Sequence, residues 1–197
     1  MTPPSFLFEE ELRALGLRAL GRDVKISRHA NIYSPGQLSI GDHSRIDDFC
    51  ILSGEITLGA CVHVAPQCLL FGARGILLED FSGLSSRVAI YTESDDYVAG
   101  TSLTNPTVPA PYRKITDAGS VRLGRHAIVG CGAVILPGSS LGEGTSIGAM
   151  SLVRGSLDPW SVYTGNPAVK AGRRRSRTML RLEAELRAAW AEGEDLR

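Results

Sequence analysis

Aromatic side chains are scarce in this 197-residue chain, 6% against 43% hydrophobic residues, so its core must be built from small aliphatic groups. That favours a thin, repetitive interior and a single domain. An excess of charge of either sign is also lacking. Lys plus Arg and Asp plus Glu total 21 each, which removes the broad electrostatic footprint of a nucleic-acid or anionic-membrane binder and leaves room only for a local anion site. No apolar run approaches a membrane span. The opening Met1-Thr2-Pro3-Pro4-Ser5 leads into acidic residues instead of the basic-then-apolar pattern of a secretion signal, so a soluble cytoplasmic protein is expected. Cys50, Cys61, Cys68 and Cys131 lack CxxC spacing and sit among apolar residues, which reads as reduced buried thiols.

What the chain does contain is a clock of six. From Leu123 every sixth residue is aliphatic: Val129, Ile135, Leu141, Ile147 and Val153 follow. Ile, Leu and Val make up about a quarter of the sequence, so six hits in one phase arise by chance about once in several thousand. The same clock runs through Ile26 and Ile32, then Ile40, Ile46, Leu52, Leu58, Val64 and Leu70, then Leu78, Leu84 and Ile90, with two-residue insertions at the two breaks. Glycine follows the aliphatic residue at Gly41, Gly59, Gly124, Gly130, Gly142 and Gly148, as recurrent tight turns require.

A helix needs a period near 3.6 and a simple strand a period of 2, so a sustained six fits neither. It fits a solenoid in which each hexad supplies one short strand and one corner and three hexads close a triangular coil. Naming successive corners A, B and C puts Ile26 on A, Ile32 on B and Ile40 on C, and the labels run without a slip to Ile90 on B; Leu123 then takes C. Residues 91–120 therefore replace one corner. Their content, including Asp95, Asp96, Gly100, Asn105, Pro106, Pro109 and Pro111, is loop chemistry, and a loop this long in a compact domain is expected to be functional. Helical spacing marks Phe8 to Leu20 and Arg175 to Trp190 as helices that cap the exposed strand edges or pack on a partner subunit. The expected division is a helical cap over 1–23, a solenoid over 24–170 with its inserted loop, and a C-terminal helix over 171–197. His29, His43 and His126, each three places after an inward aliphatic, read as surface histidines at corners.

The stretch from Ile147 to Val153, followed by Asp158-Pro159-Trp160 and Gly165-Asn166-Pro167-Ala168, resembles the closing signature of the hexapeptide-repeat acyltransferases. Across 24–170 the order of coils, long loop, further coils and Gly-Asn-Pro-Ala exit is similar to the galactoside and maltose acetyltransferase branch. Arg45 to Gly54 and Ser94-Asp95-Asp96-Tyr97 resemble acyltransferases of nucleotide-linked 4-amino-4,6-dideoxy sugars. The resemblance implies an all-β, left-handed parallel β-helix with short terminal helices, working as a homotrimer that takes acetyl from acetyl-CoA, with active sites between subunits closed by the long loop. It places the pantetheine arm of coenzyme A along Gly130, Cys131, Gly148 and Ala149, and makes Arg154, Lys170, Arg173, Arg174 and Arg175 candidates for its phosphates. It implies neither metal, nucleic acid nor membrane.

The chain departs from the galactoside-type pattern at the catalytic base. Asp95 falls where that branch carries a loop histidine, and an aspartate with an ordinary pKa of about 3.9 is a poor base for a sugar hydroxyl. Two readings answer this. His63, at a coil corner, is the candidate base, oriented by Asp95 or Asp96 of a neighbouring subunit. Alternatively the acceptor is an amine, nucleophilic when neutral, and Asp47, Asp48, Asp95, Asp96 and Tyr97 bind and position it. N-acetylation of a nucleotide-linked amino sugar for polysaccharide or glycan assembly is the leading expectation, with O-acetylation of a small hydroxyl compound and a non-catalytic trimeric scaffold as alternatives.

Overall fold

The six-residue clock winds the chain into a left-handed parallel β-helix of about seven coils, seen over residues 5–193 in a computed structural model. Each coil places one inward residue on each of three rows. Row A stacks Ile26, Ile46, Val64, Leu84, Val129, Ile147 and Tyr163 in register. Row B stacks Ile32, Leu52, Leu70, Ile90, Ile135 and Val153. Row C stacks Leu20, Ile40, Leu58, Leu78, Leu123, Leu141 and Leu157. These are the corners expected from the sequence, and Leu123 does resume row C across the long loop. Most of these side chains are buried, and each contributes about 1.5–3 kcal/mol of transfer free energy, which is how a core almost without aromatics holds together.

The clock runs further at both ends than expected. Leu20 is six places before Ile26 and pairs with Ile40, so the helix anticipated from Phe8 to Leu20 is shorter: α1 spans Glu9–Ala14, and Gly16, at φ +71°, turns the chain out of it. The side chain of Leu12 on α1 is buried over the first coil. At the far end a corner shortened by two residues brings Leu157 onto row C, and Tyr163 closes row A. The exit strand Val169–Arg173 then turns back antiparallel on Ser161–Thr164, extending the sheet of row A before α2, Arg177–Ala191, begins.

The three corners are not equivalent. Between rows C and A the third residue is left-handed on every coil: Asp23, His43, Cys61, Phe81, His126, Gly144 and Trp160 have φ from +50° to +67°. Between rows A and B the same conformation recurs at Phe49, Gln67, Arg87, Gly132 and Met150. All changes of length, including the long loop, fall between rows B and C.

Helix α2 runs back along the corner column between rows C and A. Glu183, buried, accepts hydrogen bonds from Arg125 Nη1 at 2.9 Å and Arg187 Nε at 2.8 Å, and its Oε2 lies 2.6 Å from His126 Nε2. Arg187 also reaches Asp80 at 2.7 Å and lies over the Phe81 ring, and Trp190 stacks on His43 at 4.8 Å between centroids. His126, expected at the surface, is therefore buried, between Phe81 and Trp160. Cys61 and Cys131, expected to be buried, are half-exposed corner thiols, whereas Cys50 and Cys68 lie in the core.

Of the partners of Glu183 only His126 is buried, while Arg125 and Arg187 are partly exposed and keep Glu143 and Asp80, so losing the carboxylate costs about 1–3 kcal/mol, the penalty for leaving one buried polar group unpaired. Glu183→Ala is expected to lower stability by about that amount, read as a drop in Tm, and Glu183→Gln by less, since it retains hydrogen-bonding capacity.

Candidate active site

On a strand the residue before an inward one faces outward. Row A therefore lays Arg45, His63, Gly83 and Ile128 side by side on one face. Asp47 lies between the first two, its side chain only 8% exposed. Arg45 Nε donates to Asp47 Oδ1, and His63 Nε2 lies 2.8 Å from Asp47 Oδ2. Burial pushes the Asp47 carboxyl up, but hydrogen bonds from Arg45 and His63 outweigh it and hold the group below the usual carboxylate range. An ionised Asp47 accepts a hydrogen bond from the Nε2–H of a neutral His63, which leaves the lone pair on Nδ1. The imidazole is half-exposed and borders a groove of about 290 Å³ whose walls are Ala65, Gly83, Leu84, Ser85, Ser86 and Ile128.

This differs from expectation in two ways. Asp47, anticipated as an acceptor ligand, is engaged as the orienting partner of His63 within the same chain. Ser85 and Ser86 were not singled out from the sequence, although they directly follow the inward Leu84, with Ser85 one coil above Ala65 on the same corner. Asp48 points elsewhere and accepts a hydrogen bond from the Ser27 hydroxyl.

The long loop leaves the solenoid as an antiparallel ribbon, Glu93–Asp95 against Ile115–Ala118. Asp96 is buried and accepts four hydrogen bonds: from the backbone N–H groups of Val98 at 3.2 Å, Ala99 at 2.7 Å and Thr101 at 2.8 Å, and from the Thr101 hydroxyl at 2.9 Å. Hydrogen bonds from the Thr101 backbone and hydroxyl lead those that hold its pKa at about 2. Asp96, anticipated beside the chemistry, is thus the peg on which the loop tip is folded. Tyr97 and Val98 are presented by that peg at 88% and 95% exposure. Asp95 accepts the Asn105 N–H at 3.2 Å. Among the described residues no hydrogen bond or ion pair within the chain joins Asp95 or Asp96 to His63.

Of the residues expected to meet coenzyme A, Gly130, Cys131, Gly148 and Ala149 sit on the corner between rows A and B, Arg154 just after row B, and Lys170 and Arg173 on the exit strand. Gly130 and Gly148 donate their N–H groups to Ile147 and Tyr163 on the next coil, both at 2.8 Å, and the Cys131 carbonyl accepts the Met150 N–H at 2.9 Å. A Cβ on Gly130 would lie 2.5 Å from the Ala149 nitrogen, so coil packing already requires this glycine before any ligand is considered. Of the candidate cations, Arg154 pairs with Asp117 at 2.9 Å and Lys170 with Asp158 at 2.8 Å. Arg174 donates to the carbonyls of His126 at 2.7 Å and Gly144 at 3.2 Å. Arg173 and Arg175 are exposed. Among the described residues no three His, Cys, Asp or Glu side chains gather as a metal site, and no helix is long and apolar enough to cross a membrane.

A left-handed β-helix with a ribbon-like loop and a histidine-edged groove defines a hexapeptide-repeat protein of the acyltransferase kind. No family model matches the chain. It is 38% identical over 183 residues, covering 91% of this chain and 94% of the relative, to the dTDP-4-amino-4,6-dideoxy-D-glucose acyltransferase of Escherichia coli. AntD, an N-acyltransferase from Bacillus cereus solved with dTDP and 3-hydroxybutyryl-CoA, superposes at a TM-score of 0.91 with 41% identity, covering 96% of this chain and all of that one. A maltose O-acetyltransferase from Clostridium difficile, at TM-score 0.58 and 20% identity over 85% of this chain and 74% of that one, shares the fold. The chain belongs to the nucleotide-linked 4-amino-4,6-dideoxy sugar acyltransferases of the hexapeptide-repeat family.

Because Asp96 has a depressed pKa in the folded loop, its contribution is present above the unfolded value near 3.9 and is lost as pH falls toward 2. Hydrogen exchange at the amides of Val98, Ala99 and Thr101 is expected to accelerate in that window, before the coils open, and Asp96→Asn is expected to produce the same local loss at neutral pH.

Proposed function

We propose that the chain works as a cytoplasmic homotrimer that transfers a short acyl group, acetyl in the simplest case, from acyl-CoA to the amino group of a dTDP-linked 4-amino-4,6-dideoxy sugar. The observation that carries this reading is the whole-length match to N-acyltransferases: AntD has been solved with dTDP-4-amino-4,6-dideoxyglucose and coenzyme A as well as with 3-hydroxybutyryl-CoA. The groove fits that chemistry. Ser85 and Ser86 would offer hydroxyls to the amino group, and His63 Nδ1, backed by Asp47 and Arg45, would be the acceptor of the proton it loses on attack. The neutral amine would attack the thioester carbonyl, the C–N bond forming as His63 takes the nitrogen's proton, and the C–S bond would then break as the leaving thiolate takes that proton from the imidazolium or from water. Asp95 and Tyr97 would enter from the loop of a neighbouring subunit and hold the sugar. Gly130, Cys131, Gly148 and Ala149 would offer a narrow track to the pantetheine arm, and Arg173, with Arg175, would offer guanidinium groups to the phosphates of coenzyme A.

Thiol release from acyl-CoA is expected with dTDP-4-amino-4,6-dideoxyglucose and not with its 4-hydroxy counterpart, with an amide product by mass spectrometry. His63→Ala is expected to lower kcat by about 10²–10⁴-fold, as loss of a positioned general base does. Asp47→Asn should fall between His63→Ala and the parent. Unchanged turnover in His63→Ala would remove the base assignment, and turnover of the hydroxy sugar alone would move the protein to the O-acetyltransferases.

A further inference from the structure

The cluster of His63, Asp47 and Arg45 continues into the N-terminal segment. Ahead of α1 the chain lies antiparallel against the first strand of row A: Phe6 faces Ser27, the Leu7 N–H donates to the Ile26 carbonyl at 2.9 Å, and the Arg28 N–H donates to the Ser5 carbonyl at 3.0 Å. This brings two aromatic rings onto arginines. Arg28 lies over Phe8, with 5.3 Å from guanidinium carbon to ring centroid, and donates from both Nη atoms to Glu11 at 2.6 Å, which fastens α1 to the first coil. Arg45 lies over Phe6 at 5.1 Å, but its carboxylate partner is Asp47, and Asp47 in turn meets His63. Contacts therefore run without a gap from Phe6 through Arg45 and Asp47 to the imidazole. The Arg45 side chain is 50% exposed, and so open an ion pair holds poorly by itself, because a long side chain must give up its other rotamers for one Nε bond. A ring against the flat side of a guanidinium supplies the hold and leaves the in-plane N–H groups to donate. Asp47 depends on that donor. Its side chain is largely buried, and without Arg45 it would keep His63 as its ion-pair partner and gain room to turn. Neither Phe6 nor Arg45 is among the walls of the groove that His63 borders, so their influence on bound reactants passes through Asp47 and the imidazole.

We propose that Phe6 is a positioning residue for acyl transfer, its ring fixing the Arg45 guanidinium that holds Asp47 and, through Asp47, the His63 imidazole. The inference rests on His63 as the proton acceptor and extends that reading to the N-terminal segment. Its effect belongs to the rate of the bound complex and not to binding. With dTDP-4-amino-4,6-dideoxyglucose and acetyl-CoA as substrates, Phe6→Leu and Phe6→Met, which keep apolar bulk but present no ring face, are each expected to lower kcat by about two- to fivefold, the range of one cation–π contact at a partly exposed site, with both KM values unchanged. Phe6→Tyr, which keeps the ring, is expected to restore the parent kcat. In a His63→Ala background Phe6→Leu is expected to have no further effect, because residues that act as a unit are not additive. A thermal scan shows that each variant folds. The positioning role is overturned by parent kcat in both ringless variants, by a rise in KM with kcat held, by a Phe6→Tyr as slow as Phe6→Leu, or by a loss in the His63→Ala background as large as in the parent. In each of those cases impaired turnover by His63→Ala alone leaves the base assignment standing. Parent turnover by His63→Ala would remove the base and the positioning role with it.

Discussion

Everything in this molecule depends on the in-register stacking of one inward side chain per hexad, because that register fixes which residues of every other position share a face. The register is enforced at two corners and released at the third. Between rows C and A, and between rows A and B, every interval is six residues and the third residue of most turns is left-handed, even where it is Phe, Trp or Met. A left-handed L-residue costs on the order of 1–2 kcal/mol, so the repeated expense is met only because each turn also docks a strand and buries an aliphatic group. Between rows B and C the intervals vary from four residues, Val153 to Leu157, to thirty-three, Ile90 to Leu123. An insertion there leaves both locked corners undisturbed, which is why a thirty-residue excursion coexists with an unbroken prism.

That asymmetry explains where the chemistry sits. Row A is bounded by the two locked corners, so its outward residues form the most regular platform of the solenoid, and the Arg45, Asp47 and His63 cluster is built on backbone that has little freedom to shift. The variable corner supplies the loop, and within the loop Asp96 converts a flexible tip into a defined one by gathering three amides and a hydroxyl. Helix α2 closes row A from outside through Glu183, whose partners come from the corner column at Arg125 and His126 and from its own next turn at Arg187.

The sequence made the rows legible because period and phase are local, additive signals: six aliphatic residues in one phase locate a corner without knowledge of any contact. The same clock also contained Leu20 and Tyr163, but Leu20 was absorbed into an apparently helical run, and Tyr163 lay beyond a shortened corner that broke the count. Pairings of distant residues were not legible. His126 finds Glu183 fifty-seven residues away, and His63 finds Asp47 only because two coils stack, so a corner histidine read as solvated is buried and a carboxylate read as a ligand is hydrogen-bonded to a histidine of its own chain. Asp95 and Asp96 are adjacent and alike in sequence. Only the fold of the tip shows that one of them has its lone pairs committed to backbone.

The distribution of carboxylates also bears on why a histidine is needed if the acceptor is an amine. A carboxylate beside an ammonium stabilises the protonated form and raises its pKa, so an Asp95 reaching the amino group would strengthen binding while opposing the deprotonation that attack requires. Binding of that kind lowers the ground state without helping the transition state. A separate proton acceptor resolves the conflict, and it must not itself be held charged at neutral pH. Under the proposed function His63 is that acceptor: Asp47, itself held by Arg45, lies 2.8 Å from its Nε2, and the imidazole is half-exposed beside the groove. The arrangement holds the ring through Nε2 and leaves Nδ1 without a hydrogen bond among the described residues, as a proton acceptor at that place requires.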